Sequence, residues 1–194
     1  MATNHNPIAM HERLLTLCFI LIAIGGVAQS NENLEKFTKV VVRGGGTVQI
    51  SRENAYTFTV DTHGRCAELV NFSVSSETLY IQVEDADAND CALTMHVGVP
   101  SLDGLALNGG GNIVVRDGFP SEDSFECKLR GGGSVDVSEL RVDSIIASIN
   151  GGGTMLLTAE KQLTANISGG GVIEYSGNPK VSRAISGGGS VRRR

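Results

Sequence analysis

Tryptophan is missing from this 194-residue chain, and six phenylalanines and three tyrosines are its only large aromatic residues. Ring clusters therefore cannot dominate the interior, and the core has to be aliphatic. Positive charge is also short: 16 Lys and Arg stand against 21 Asp and Glu, a net charge of −5. Affinity for nucleic acid rests mainly on clustered cations against phosphate, so DNA and RNA are not expected as partners. Helical patterning is scarce too. Beyond residue 30 no window keeps an apolar stripe at i, i+3, i+4 and i+7 with a cap, which excludes a helical domain.

Only one long apolar run occurs, Leu14 to Ala28, preceded by Arg13 and followed by the small-residue exit Val27-Ala28-Gln29-Ser30. It reads as a secretory signal peptide over residues 1–30. A spanning helix needs about 20 apolar residues, more than this run supplies, so membrane contact is expected only through the signal. The stretch Met10-His11-Glu12-Arg13 is a compact start of the kind signals use, which makes Met10 a second candidate initiator. A lipoprotein reading through Leu15-Thr16-Leu17-Cys18 fits poorly, because most of the apolar run follows the cysteine. Removing one base, Arg13, and one acid, Glu12, leaves the charge unchanged. The remaining 31–194 is one domain's worth of chain, expected in the periplasm, on the cell surface or outside the cell.

Glycine is plentiful, and its placement is periodic. Triplets begin at Gly44, Gly109, Gly131, Gly151, Gly169 and Gly187, the last five at steps of 22, 20, 18 and 18 residues. A period near 20 marks a solenoid or a related repeat. Leu107, Leu129, Ile149, Ile167 and Ile185 stand two residues before the last five triplets, and Ile113, Val135, Met155, Ile173 and Val191 two residues after them. A flexible glycine linker keeps no such apolar columns. Each unit can bury one face only against copies of itself, so residues 101–191 are expected to form an all-β, right-handed parallel β-helix of about five coils. The triplets become its corners, represented by Gly110, Gly132, Gly152, Gly170 and Gly188. Valine at Gly132 or Gly152 is expected to be severe there, and valine at Gly118 mild. Residues 37–100 carry six short alternating runs, Val40–Val42, Thr47–Ile50, Tyr56–Val60, Leu69–Val74, Thr78–Val83 and Cys91–Val97, read as preceding strands that cap or extend the helix.

Phe37-Thr38-Lys39-Val40, the run Thr78-Leu79-Tyr80-Ile81-Gln82-Val83, Val99-Pro100-Ser101-Leu102 and glycine cores such as Ile167-Ser168-Gly169-Gly170-Gly171 give the chain a family likeness. It resembles the putative auto-transporter adhesin head GIN domain of exported bacterial proteins, from about Phe37 to Val191. Where that family usually has Gly-Ser-Gly in its core, all copies here read Gly-Gly-Gly. The resemblance implies a β-helical fold and a cell-envelope location, and brings no binding residues with it.

Chemical constellations are thin. Cys127 shares a repeat column with Ala147 and Ala165 and should be a buried free thiol. Cys18 leaves with the signal, so Cys66 and Cys91 remain as the candidate disulfide, with a value of about 3 kcal/mol in the chain-entropy account. Zinc at His63, Cys66, Cys91 and His96 is disfavoured, since His96 and Cys91 would point to opposite strand faces. Asp85-x-Asp87-x-Asn89 opens like a calcium loop, then puts Asp90 where the tight turn needs glycine. Asp136 and Glu174 share a column, separated by Leu156 and so by two coil spacings, about 9–10 Å, at the limit for an inverting glycosidase pair. No cofactor or metal is expected. Two function classes follow: an exported, non-enzymatic, adhesin-like module offering a solenoid face to a surface glycan or protein, or a carbohydrate-processing enzyme of the lyase or glycosidase kind. Homo-oligomerisation is compatible with either.

Overall fold

The computed structural model describes residues 29–32, 34–62, 65–84 and 92–194. Alternation of β-branched and polar residues produces strands almost throughout. The first half holds β1 (Gln29–Glu32), β2 (Lys39–Arg43), β3 (Thr47–Arg52), β4 (Thr57–Thr62), β5 (Val70–Ser75), β6 (Thr78–Val83) and β7 (Leu93–Val99). Each of the six runs expected between residues 37 and 100 has a strand among them, although Tyr56 and Leu69 precede theirs and Cys91 lies outside the described residues. The alternation announces neither β1, which straddles the expected cleavage point, nor the short 3₁₀ helix Arg65–Leu69. The glycine repeat supplies β8 (Gly104–Gly109), β9 (Asn112–Val115), β10 (Glu122–Gly131), β11 (Ser134–Gly151), β12 (Thr154–Gly169), β13 (Val172–Ser176), β14 (Lys180–Ser186) and β15 (Ser190–Arg193).

These strands wind into a parallel β-solenoid with two ladders meeting at the glycine corner. The ladder entering the corner stacks β6, β2, β8, β10, the second half of β11, the second half of β12, and β14. The ladder leaving it stacks β7, β3, β9, the first halves of β11 and β12, then β13 and β15. Spatial order therefore departs from chain order. The coil built from β2 and β3, with its triplet Gly44–Gly46, lies between β6/β7 and β8/β9. The glycine copy that looks isolated in sequence is thus a full member of the stack, and residues 37–100 contribute coils as well as a cap.

Inside, the columns expected from the repeat are present. Leu107, Leu129, Ile149 and Ile167 on one side, and Ile113, Val135, Met155 and Ile173 on the other, are at most 3% exposed. Burying each such side chain contributes roughly 1.5–3 kcal/mol, so the stacked columns are a main stabilising element. The change of period from 20 to 18 residues is absorbed between β11 and β12, where register shifts fall between Val137 and Arg141 and between Val142 and Ser144. Bulges at a bend let one coil be longer than the next without disturbing either flanking ladder.

The two ends differ. At the first, antiparallel strands cover the stack: β5 pairs β6, β4 pairs β7 and β1 pairs β4. Phe58 and Phe72 meet there with ring centroids 4.7 Å apart, and Phe37 meets Tyr56 at 5.3 Å. At the other end β14 and β15 are the outermost layer, and Ile185 is 40% exposed.

Candidate functional site

At the corners, successive coils approach backbone to backbone. Gly151 has φ +135°, and a Cβ built on it would lie well inside 3.0 Å of the Gly131 carbonyl oxygen. That oxygen accepts the N–H groups of Gly152 (3.0 Å) and Gly153 (3.2 Å). The first glycine of every triplet repeats this relation to the coil before it, and the third members from Gly111 onward are likewise crowded by that coil. The middle members are a different case. Gly110, Gly132, Gly152, Gly170 and Gly188 have nothing within 4 Å of a built Cβ and no positive φ. The severe effect expected at Gly132 and Gly152 is therefore corrected: the demand for glycine falls on their neighbours. Gly118 is corrected in the opposite sense, because its φ of +109° would strain a valine even in open space.

The column proposed for catalysis forms as read: Val114, Asp136, Leu156, Glu174 and Arg192 are successive partners across the ladder. Both acids are engaged. Asp136 accepts hydrogen bonds from the backbone N–H and hydroxyl of Ser138, and Glu174 accepts them from the Arg192 guanidinium. A carboxylate held by arginine is a poor proton donor, and a leucine coil still stands between the two. Nothing here resembles a working acid–base pair.

Cys127 is fully buried and free, and burial pushes its thiol pKa up to about 12. Such a thiol is chemically inert. Cys66 is buried and disulfide-bonded. Its expected partner Cys91 lies outside the described residues, as do His63 and the calcium-like stretch Asp85 to Asn89. His96 alternates with the buried Met95 and Val97 and faces outward. Among the described residues no group of three His, Cys, Asp or Glu could hold a metal ion, and no helix is long and apolar enough to cross a membrane.

One concave feature is not announced by the repeat. It is an open groove of about 510 Å³ on the outer face of the ladder entering the corner. Two outward columns make it. One runs Arg130, Asn150, Ser168, Ser186, and the other Lys128, Ser148, Asn166, Ala184. Leu129, Ile149, Ile167 and Ile185 line it as well, so its accessible surface is mostly apolar, and the first column shortens from Arg130 to Ser186, which leaves the two cations as a wall at one end. Lys128 is paired with Glu126 at 2.7 Å, while Arg130 is exposed. Hydroxyls and amides repeat along the axis at the coil spacing of about 4.8 Å. Such a lining offers apolar surface with hydrogen-bonding groups at intervals, and no histidine or carboxylate among its residues activates the serines. The sequence carries the signal in one column only: the residues directly before the last four triplets shorten from Arg130 through Asn150 to Ser168 and Ser186.

Comparison with known proteins agrees with the architecture. The sequence pattern of a family described as putative auto-transporter adhesin, head GIN domain, matches residues 36–124 and 121–179. No curated protein matches the chain. Among solved structures, a putative adhesin from Bacteroides fragilis NCTC 9343 is similar with a TM-score of 0.57 at 16% identity, over 87% of this chain and 96% of that one. A putative adhesin from Parabacteroides distasonis ATCC 8503 gives 0.59 at 16% identity, over 88% and 98%. At that identity the likeness is one of fold.

Proposed function

Because the chain belongs to the putative auto-transporter adhesin, head GIN domain family, we propose that it is an exported, non-enzymatic binding module that holds a surface glycan or protein segment along one flank of its solenoid. The observation that carries this is the groove over β10, β11, β12 and β14, where Ser148, Asn150, Asn166 and Ser168 stand beside Arg130 over a largely apolar lining. A floor fixed by parallel ladders is preorganised, so binding loses little conformational entropy. Export is supported by the signal-like residues 1–30 and by the names that the similar structures carry. The carbohydrate-processing alternative is disfavoured by the engagement of Asp136 with Ser138 and of Glu174 with Arg192.

A glycan array, followed by a product assay on whatever sugars are retained, tests the reading. Retention without turnover, weakened about tenfold or more by Asn150→Ala with Asn166→Ala, is the expected result. Turnover abolished by Asp136→Ala or Glu174→Ala would overturn it. N-terminal sequencing of the secreted protein tests the leader.

A further inference from the structure

The two ends of the solenoid are built differently, and the difference points to a partner. At the C-terminal end, among the described residues, β14 pairs only with β12, and β15 only with β13, so each has one edge without a strand. The apolar columns reach that end uncovered: Ile185 is 40% exposed, and Val181 and Val191 are only partly buried. Repeat proteins need a polar cap on their last unit or a partner over it. The last coil is also basic. Residues 175–194 contain Lys180, Arg183, Arg192, Arg193 and Arg194 and no acid. Arg183 is notable among them, because it stands in the inward column directly after Ala165. An inward cation at an edge guards against pairing with any neutral strand. It admits one that brings carboxylates.

The opposite end has what that site requires. Among the described residues β5 is an outer edge there. Phe72 and Val74 continue the apolar column half-buried, and Asp61, Glu68 and Glu84 are exposed around it. We propose that the basic open coil of one molecule docks on the acidic, strand-edged end of a second copy, continuing the ladder from β14 to β5. The contact is heterologous, so it repeats head to tail into stacks. A symmetric tail-to-tail dimer would set the two basic coils against each other and is disfavoured on charge.

Sedimentation velocity of the purified protein across a concentration series, at low and high salt, tests this. Expected is association that grows beyond a dimer with concentration and weakens as salt shortens the screening length below about 10 Å. Lys180→Glu with Arg183→Glu should weaken it at least about tenfold, as should Glu68→Lys with Glu84→Lys, and all four changes in one chain should restore it. These side chains are exposed, and an unchanged β-type circular dichroism spectrum and melting temperature would show that the variants fold. A monomer at every concentration in low salt would overturn the proposal. So would an association that stops at a dimer and ignores the Glu68 and Glu84 changes.

Discussion

Alanine at Gly151 and alanine at Gly152 should behave in opposite ways although the residues are adjacent. At Gly151 the backbone has φ +135°, which costs a non-glycine residue about 1–3 kcal/mol. Its Cβ would also press on the Gly131 carbonyl oxygen, and the coils must separate to relieve it, at about 1–3 kcal/mol for overpacking. Separation would stretch the bonds from Gly152 and Gly153 to that oxygen, each with a net value of about 1 kcal/mol. Those stretched bonds are part of the overpacking cost and are not added again, so the total is about 4 kcal/mol, a large part of the roughly 5–15 kcal/mol that holds a domain folded. At Gly152 the new methyl meets nothing within 4 Å. Alanine there mainly restricts the unfolded chain and should stabilise by about 0.4–1 kcal/mol. Urea unfolding followed by far-ultraviolet circular dichroism resolves the difference, since at about 2 kcal/mol per molar the two midpoints should lie about 2 M apart. Equal midpoints, or a lower one for Gly152→Ala, would refute the backbone-contact account of the corner.

Thiol titration of the unfolded secreted protein without reductant should find one reactive group, Cys127, with Cys66 and Cys91 bonded to each other; three would refute that bond. In the native protein Cys127, its pKa raised to about 12 by burial, should resist alkylation, and rapid labelling would contradict its place in the core. Glu122 has its carboxyl pKa raised by partial burial, then by Asp103 and Asp123. Its folded form holds a proton more tightly than its unfolded form, so its contribution to stability falls as pH rises through the carboxylate range and stays lower above it. Glu122→Gln should therefore stabilise at neutral pH, with the gain fading in acid; a gain that grows in acid would contradict the sign.

Strand positions, the apolar columns and the corner spacing were legible in the sequence, because each follows from local periodicity. Side-chain alternation sends Leu129 and Val135 inward whatever lies beyond the coil, and the repeat brings Leu107 and Ile149 against them. The assignment of glycine duty within each triplet was not legible. Three identical residues in a row carry no mark of which one has positive φ, and only the stacked backbones decide that the first and third are crowded and the second is free. Coil order was hidden for a related reason. Every coil offers similar aliphatic columns to its neighbours, so Val42 could face Leu107 as readily as any other leucine or isoleucine. It is the long-range register, with β2 set between β6 and β8, that closes the stack and leaves the antiparallel strands to cap one end. The groove depends on both: composition fixes the shrinking side chains from Arg130 to Ser186, and parallel stacking alone brings them onto one continuous floor.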